Sequence, residues 1–391
     1  MEAIAREPLL LEPLRRSVHE DAAPAYLRSL KLKLTARCNL KCVMCRYGRG
    51  WAPPELTTQD WTRVLTEARE LGCRKVHFSG GEVLVRPDFE ELVAVAAREQ
   101  IKVTFTSNLT LLTKERAKRL LRHKIGGIST SLDGASAKVH ERVRGIPGSF
   151  KRTLRALAWI RRYRSDARPR LRINFVMMRS NFRDYPALLR LAGDLGAVDV
   201  VPMPVDTKQS RLRLSQRLIR EYNETIAPEV SELRRALGMP VTEAAVYPFG
   251  RVGRELALSR QGEYASGYYV NHLCYAPYLH AFAAWDGKVY LCCMTNGRIE
   301  ALGDLSQQSL KEVFWGEPFR DMRRSMLSAR LRSCHACDMV VSENRALDLA
   351  LRVAEPDGAA LDGAALDGAA LDLGGAPSSL MPPARRLPLL P

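Results

Sequence analysis

Three cysteines stand close together near the start of the chain, in Cys38-Asn39-Leu40-Lys41-Cys42-Val43-Met44-Cys45, at the spacing C-x3-C-x2-C. Structural zinc takes four protein ligands and ordinary iron-sulfur clusters also use four cysteines, so a compact trio points to a [4Fe-4S] cube with one iron left open. An open iron can bind a molecule that then reacts. Half of a zinc knuckle, or three unconnected thiols, would leave the same octapeptide, so the rest of the chain must discriminate. A second set lies far downstream: Cys274, then Cys292 with Cys293, then Cys334-x2-Cys337. Four well-placed thiolates from it would hold zinc or another cube, and spacing alone does not decide which. Cys73, in the bend Leu71-Gly72-Cys73-Arg74, reads as a small buried filler.

The first trio follows directly on the strand-like run Leu30–Leu34. Five more such runs can be marked: Lys75–Phe78, Lys102–Phe105, Gly127–Ser131, Leu171–Met177 and Val198–Val201. Helix-period segments alternate with them. Thr58–Leu71 opens on the capping-type Thr57-Thr58-Gln59-Asp60, Asp88–Glu99 follows Pro87, and Thr113–Arg122, Phe150–Tyr163 and Tyr185–Leu195 complete the set. Repeated β-α units imply a parallel sheet with right-handed crossovers and place site residues just after the strands. Between Pro204 and Asn271 the pattern loosens into a helix-like piece, Ser215–Leu237, interrupted at Pro228, then a linker containing Tyr247, Tyr264, Tyr268 and Tyr269. Ala284 to Leu291 reads as strand, Asp-Gly turn and strand between members of the second cysteine set.

Composition bounds the rest. The 391 residues suit two folded units, and 46% hydrophobic with 26% charged residues is the balance of a globular protein. No apolar run approaches the ~20 residues of a membrane span, and Leu9-Leu10-Leu11 is broken by Glu12 and Pro13, so a cytoplasmic address is expected. Clustered thiols in that setting read as metal ligands rather than disulfides. The net charge of +17 invites a nucleic-acid surface. The basic residues argue against one, because Arg116, Lys118, Arg119, Arg122 and Lys124, then Arg161, Arg162 and Arg164, then Arg323 and Arg324 fall on separate segments that look like solvated helix faces. The charge is read instead as favouring an anionic substrate or partner.

The trio, with the turns that follow the strands, resembles the radical S-adenosylmethionine (SAM) superfamily, whose signature is C-x3-C-x2-C after the first barrel strand. The resemblance implies that Cys38, Cys42 and Cys45 hold a [4Fe-4S] cluster whose open iron chelates SAM. Ser79-Gly80-Gly81-Glu82-Val83 is similar to the family's Gly-Gly-Glu-Pro, so Gly80, Gly81 and Glu82 inherit contact with the SAM ammonium, with Val83 departing from the usual proline. Thr106-Ser107-Asn108 and Ser129-Thr130-Ser131-Leu132-Asp133-Gly134 resemble turns that line the ribose and methionyl groups, implicating Ser107, Asn108, Ser131 and Asp133. His140-Glu141-Arg142-Val143-Arg144-Gly145 resembles an Arg-Gly element in which Arg144 would fork onto the SAM carboxylate.

The second set, read as Cys-x2-Pro, Trp-Asp-Gly-x-Val-x2-Cys-Cys, Gly-Asp-Leu, Phe-Trp and Cys-x2-Cys, is similar to the SPASM/Twitch extension, which carries auxiliary iron-sulfur clusters. Five cysteines suit the shorter, one-cluster Twitch form, with Cys274, Cys292, Cys334 and Cys337 as ligands of one auxiliary [4Fe-4S] cluster. Cys293 is then spare: a packed thiol, an alternative ligand, or a catalytic hydrogen donor. The expected fold is α/β, a partial (β/α)6 barrel over 28–240 after an N-terminal extension, 1–27. A small α+β cysteine-rich unit over 241–350 and a low-complexity tail, 351–391, would follow. The tail's Asp-Gly-Ala-Ala-Leu repeats and Pro-rich end cannot bury a core. The resemblance further implies a flavodoxin- or ferredoxin-type electron donor, reductive SAM cleavage, and hydrogen abstraction from a C–H bond. The substrate expected is a polar small molecule of aminosugar or cyclitol type undergoing net oxidation. A ribosomally made peptide is the alternative; the roughly 27 residues before the first strand are too few for a leader-binding domain.

Overall fold

The structure, a computed structural model, describes residues 7–50, 54–165, 168–207, 209–328, 331–337 and 341–353. Six parallel strands, β1 (Ser29–Lys33), β2 (Lys75–Ser79), β3 (Lys102–Thr106), β4 (Gly127–Ser131), β5 (Arg170–Met177) and β6 (Asp199–Pro204), lie side by side in chain order. The first five fall within a residue of the runs read from sequence at both ends. β6 extends further, to Pro204, because Phe175, Val176 and Met177 of β5 pair with Pro202, Met203 and Pro204.

The second cysteine region does not form a sheet of its own. β7 (His280–Ala283) pairs in parallel with β1, from Ser29 opposite His280 to Leu32 opposite Ala283, and β8 (Lys288–Tyr290) and β9 (Gly303–Asp304) continue antiparallel, giving one nine-stranded sheet among the described residues.

Helices α1 (Pro8–His19), α2 (Thr58–Glu70), α3 (Phe89–Arg98), α4 (Lys114–Leu120), α5 (Ala137–Arg144), α6 (Ser149–Tyr163) and α7 (Tyr185–Asp194) follow in order. α2 starts where the capping residues place it: Thr57 accepts from the Asp60 backbone while Asp60 reaches back, an arrangement worth about 0.5–2 kcal/mol. The strands alternate. Leu30, Leu32, Val76, Phe78, Val103, Phe105, Ile128, Ile173 and Phe175 pack outward against Trp61, Phe89 and Leu157 of the helices, in one continuous apolar core. Each such side chain contributes about 1.5–3 kcal/mol by leaving water. The intervening residues therefore face inward, into the barrel.

Four sequence expectations change. The piece 215–237 is three elements, α8 (Gln216–Glu221), a π-helical turn Tyr222–Ile226 and α9 (Ala227–Ala236). Pro228 cannot donate to the carbonyl one turn back, and the widened turn takes up that mismatch. The boundary at 240 runs through packed structure, because Val246, Phe249 and Leu256 are buried in the barrel's core and the hydroxyls of Tyr185 and Tyr222 donate to the Ala245 and Val246 carbonyls. Not all of the scattered cations are solvated. Arg116 pairs with Glu90 at 2.6 Å, and Arg323 is buried between the Phe314 and Phe319 rings, donating to the Pro277 and Phe314 carbonyls. Finally, α1 is tied in: Leu14 and Val18 pack with Tyr275, Tyr278, Leu347 and Leu351. The last two belong to a helix, Val341–Val353, that crosses the boundary expected at 350, while the rest of the expected tail, 354–391, lies outside the described residues.

Candidate active site

The C-x3-C-x2-C loop leaves the C-terminal end of β1, and neighbouring loops clamp it from three directions. The first clamp prolongs the β1–β2 ladder. Leu34 donates to the Ser79 carbonyl (2.8 Å), Gly81 to Thr35 (2.8 Å) and Glu82 to Arg37 (2.9 Å). A Cβ on Gly80 would sit 2.7 Å from the Thr35 carbonyl oxygen, and one on Gly81 2.3 Å from that of Arg37. The paired glycines thus serve a backbone-to-backbone approach onto the segment entering Cys38. Glu55, which no motif singled out, anchors the same segment by accepting from Thr35 Oγ1 (2.6 Å), the Ala36 amide (3.0 Å) and Arg37 Nη2 (3.1 Å).

Glu82 is 1% exposed and its carboxylate is already engaged. It accepts from the Leu84 amide (2.9 Å), Ser107 Oγ (2.6 Å) and the Asn108 amide (2.6 Å). It therefore bolts the β2 loop to the β3 loop, a positioning role beside the ammonium contact that the resemblance implies for it. Burial pushes its carboxyl above the usual range, against the pull of those donors. Ser107 and Asn108 are buried partners in the same bolt. The Asn108 side chain forms the second clamp: its Nδ2 donates to Asn39 Oδ1 (3.0 Å), its Oδ1 accepts from Thr110 Oγ1 (2.7 Å), and Asn39 Nδ2 donates to that same hydroxyl (2.8 Å). Asn39 and Thr110 were missed from sequence; the only available signal was an asparagine directly after the first cysteine.

The third clamp is the end of α5. Lys41 and Val43 donate to the carbonyls of Arg144 (3.2 Å) and Val143 (2.9 Å). Gly145 caps the helix at φ +73°, with room for no Cβ because one would lie 2.4 Å from the Lys41 carbonyl. Arg144, 7% exposed, places Nε 2.5 Å from Asp133 Oδ2, an ion pair without aligned hydrogen-bond geometry, and donates through Nη1 to Cys42 Sγ at 3.6 Å. Asp133 is itself buried and accepts from the Val176 amide through Oδ1. Ser131 ends β4, half-buried.

These surroundings fit the expected cofactors. Burial pushes the Cys38 thiol up to about 12 and raises that of Cys42, so both stay protonated as bare thiols and become ligands by exchanging the proton for a metal. The Leu40 amide points at Cys38 Sγ (3.5 Å) as Arg144 points at Cys42, donors that suit thiolate sulfur. Arg144 Nη2 is buried without a protein partner, a costly state that an anionic ligand would relieve. Beside Cys45 opens a cavity of about 510 Å3, lined by Met44, Cys45, Arg46, Arg49, Gln209 and Arg211, within the size range of small-molecule sites.

The second cysteine set is gathered from three distant segments. Cys274, Cys334 and Cys337 pack with Ala265, Tyr268, Tyr269 and Met294, and Cys292 feels the charge of Cys274. Two of the tyrosines read as linker therefore wall this site. Asn344, fully buried, locks it: Nδ2 donates to Tyr269 Oη (2.7 Å) and toward Cys274 Sγ (3.7 Å), and Oδ1 accepts from the Tyr275 amide (2.9 Å). Burial holds Cys292 at about 12, again a thiol that needs a metal to lose its proton. Cys293 follows β8, near enough to Cys292 that its charge is felt there more than that of Cys274, and packs against the cluster of Ala36, Phe282, Ala284 and Trp285. Ala36 lies two residues before Cys38, so Cys293 sits on the side facing the first loop.

Residues 32–192 match the radical SAM superfamily and residues 274–338 match SPASM, an iron-sulfur cluster-binding domain. An AdoMet-dependent heme synthase of Methanosarcina barkeri is 35% identical over 173 residues, 44% of this chain and 48% of that protein. A PqqA peptide cyclase of Granulibacter bethesdensis is 34% identical over 170 residues (43% and 44%), and a mycofactocin maturase of Mycobacterium tuberculosis 34% over 191 residues (49% and 46%). The chain spans about half the length of the curated relatives it matches. Among solved structures, Streptococcus suis SuiB bound to S-adenosylmethionine superposes with a TM-score of 0.59 at 17% identity, over 81% of this chain and 74% of that one. Native anSMEcpe with bound AdoMet superposes with a TM-score of 0.59 at 17% identity, over 80% and 87%, so the barrel with its cysteine-bearing extension is a shared fold. The chain belongs to the radical SAM superfamily, with a SPASM domain C-terminal to its barrel, and its cofactors are S-adenosylmethionine, a [4Fe-4S] cluster and auxiliary iron-sulfur.

Proposed function

We propose that this chain modifies a peptide at a C–H bond, with net oxidation. The observation that carries the substrate class is the likeness to proteins described as PqqA peptide cyclases and a mycofactocin maturase, at 34–36% identity over 43–49% of this chain in the instances given above and in Gluconobacter oxydans. It moves the reading from the small polar molecule expected from sequence to the peptide alternative. The heme-synthase relative, at 35% identity, favours a small-molecule substrate as the second reading.

When bound, the reduced cluster and SAM supply a 5'-deoxyadenosyl radical able to take a hydrogen atom. The protein's part is placement. Cys38, Cys42 and Cys45 would hold the [4Fe-4S] cluster, three thiolates for a group that ordinarily takes four. Arg144 Nη2 and the Ser131 hydroxyl are the groups for the SAM carboxylate, while Asp133 holds the guanidinium. Glu82, Ser107 and Asn108 keep the loops in register. Cys274, Cys292, Cys334 and Cys337 would hold one auxiliary cluster, which would supply an acceptor for the substrate's electron. Cys293 is a packed thiol. The basic rim of Arg46, Arg49 and Arg211 beside Cys45 suits an acidic electron donor of flavodoxin or ferredoxin type.

The test is anaerobic incubation of the reconstituted protein with SAM, dithionite and the short peptides encoded beside its gene, followed by mass spectrometry. A peptide lighter by two hydrogens, formed in step with 5'-deoxyadenosine, supports the reading. Release of 5'-deoxyadenosine stimulated by a porphyrin, with no peptide changed, would establish the second reading instead.

A further inference from the structure

The inward face of the barrel is crowded with like charge. Lys31, Lys75, Lys102 and Arg172 come from four different strands, at positions that alternate with the buried outward residues. Lys75 and Lys102 are direct cross-strand partners, and Lys31 stands opposite His77. Desolvation lowers the pKa of Lys75, and Lys102, Arg172 and Lys31 add to it as repelling neighbours. Against these four cations stand Asp199, 3.9 Å from Arg172 but already committed to Arg234 at 2.6 Å, and Glu343, whose charge is felt by Lys75. His77 and His280 add no charge, since burial and the same lysines hold both down to about 3. A closed barrel fills its interior with apolar layers, whereas this one gathers cations on its inward face, Lys31 half-buried and Lys75, Lys102 and Arg172 exposed toward the N-terminal ends of their strands, within reach of a ligand.

We infer that this basic lumen receives acidic side chains of the substrate peptide, a reading that rests on the peptide substrate proposed above. Chemistry occurs at the strands' C-terminal ends, while Lys75 and Lys102 open their strands at the other end. Strands rise about 3.3 Å per residue, so the lysines lie about 13 Å below the ends of β2 and β3, and an extended peptide covers that depth in three to four residues. The acidic residues recognised are therefore those about three to four positions from the modified residue.

The experiment uses the full chain and three probes: fluorescein-labelled hexaglutamate, labelled hexaglutamine, and citrate as competitor, read by fluorescence anisotropy at low salt. Lys31→Gln/Lys75→Gln/Lys102→Gln is compared with Arg122→Gln/Arg161→Gln/Arg162→Gln, which removes the same charge from exposed helix positions. The lumen variant is expected to bind hexaglutamate at least tenfold more weakly, the surface variant within twofold of wild type, and hexaglutamine to bind neither appreciably. The lumen variant should also melt no lower than wild type, because it relieves repulsion; Lys75→Gln alone should show the same signs at smaller size. Equal weakening in both triple variants would assign the effect to net charge and overturn the inference. Hexaglutamate binding that ignores the lumen lysines would overturn it while leaving the peptide reading intact. Lumen-dependent citrate binding without hexaglutamate binding would overturn it through failure of the peptide reading, leaving a small-anion site.

Discussion

The two cysteine sites are built on opposite plans. The first draws its three thiols from eight consecutive residues and borrows rigidity from the ends of β2, β3 and α5, through Glu82, Asn108 and the Arg144 and Val143 carbonyls. The second draws its thiols from segments sixty residues apart in sequence, Cys274 to Cys334, and is closed by a helix, Val341–Val353, that brings in Asn344. A local loop can be formed before its clamps arrive; a site gathered from three segments exists only once the chain around it has packed. Removing a clamp should therefore loosen the first site and dismantle the second.

The largest expected effect separates the sites outright. Cys38→Ala/Cys42→Ala/Cys45→Ala should keep about four irons per chain after anaerobic reconstitution and lose SAM cleavage entirely, whereas the wild type holds about eight. Alanine at Cys274, Cys292, Cys334 and Cys337 should also keep about four irons yet still cleave SAM. Zinc in place of iron at either set, with no visible absorbance, would break the comparison.

Next in size is Glu82→Ala, which strips acceptors from the Leu84 amide, Ser107 and the Asn108 amide in a fully buried place. Losing a hydrogen-bonded buried carboxylate and stranding its donors should destabilise the metal-free chain by about 3–5 kcal/mol. Denaturant unfolding measures it. Glu82→Gln keeps part of the pattern and should cost about half as much. A Glu82→Ala chain of wild-type stability with weakened SAM binding would leave Glu82 with ligand contact alone. Asn344→Ala should cost less, about 2–3 kcal/mol for its bonds to Tyr269 and Tyr275, but should lower the iron of the second site selectively while SAM cleavage persists.

The contrast also explains what could be read from the chain. The strands and the first trio were legible because they are local: Leu30-Lys31-Leu32-Lys33 alternates with a period of two, and Thr57 with Asp60 announces α2. The same alternation already contained the strand lysines Lys31, Lys75 and Lys102, but nothing in it says which face is the barrel's interior, because a strand's inner and outer faces look alike until the sheet curls. Glu55, Asn39, Thr110 and Asn344 escaped because each acts through a partner at least sixteen residues away, with no motif around it. Tyr268 and Tyr269 read as linker for the same reason. The glycine pair was found through its resemblance, but its close approach to the Thr35 and Arg37 carbonyls was not, since sequence shows that Gly80 and Gly81 need space but not what occupies it.

The smallest expected effect tests the one cysteine that belongs to neither plan. Cys292 and Cys293 are adjacent, and after burial Cys292 feels Cys293 first and Cys274 second, while Cys293 also packs against the cluster of Ala36 and Trp285. That position faces the first cysteine loop, where a thiol able to return a hydrogen atom to a substrate radical would make an epimerase. It is also an aromatic-lined niche beside the T-shaped Tyr47–Trp285 pair, 5.8 Å between ring centres, where a small thiol simply fills space. On the proposed assignment of four other cysteines to one auxiliary cluster, Cys293 would hold no metal, and Cys293→Ser would change little more than a polarisable sulfur for a hydroxyl. The variant should lose about 1 kcal/mol or less of stability, keep about eight irons, and form product with 5'-deoxyadenosine at a rate within a fewfold of wild type. Should it make 5'-deoxyadenosine without product, while wild-type product gains solvent deuterium at carbon, Cys293 would be the hydrogen donor and net oxidation would be excluded. Should it instead lose half its iron, Cys293 would be a ligand, and the second site would hold its metal through the turn after β8 rather than through Cys292 alone.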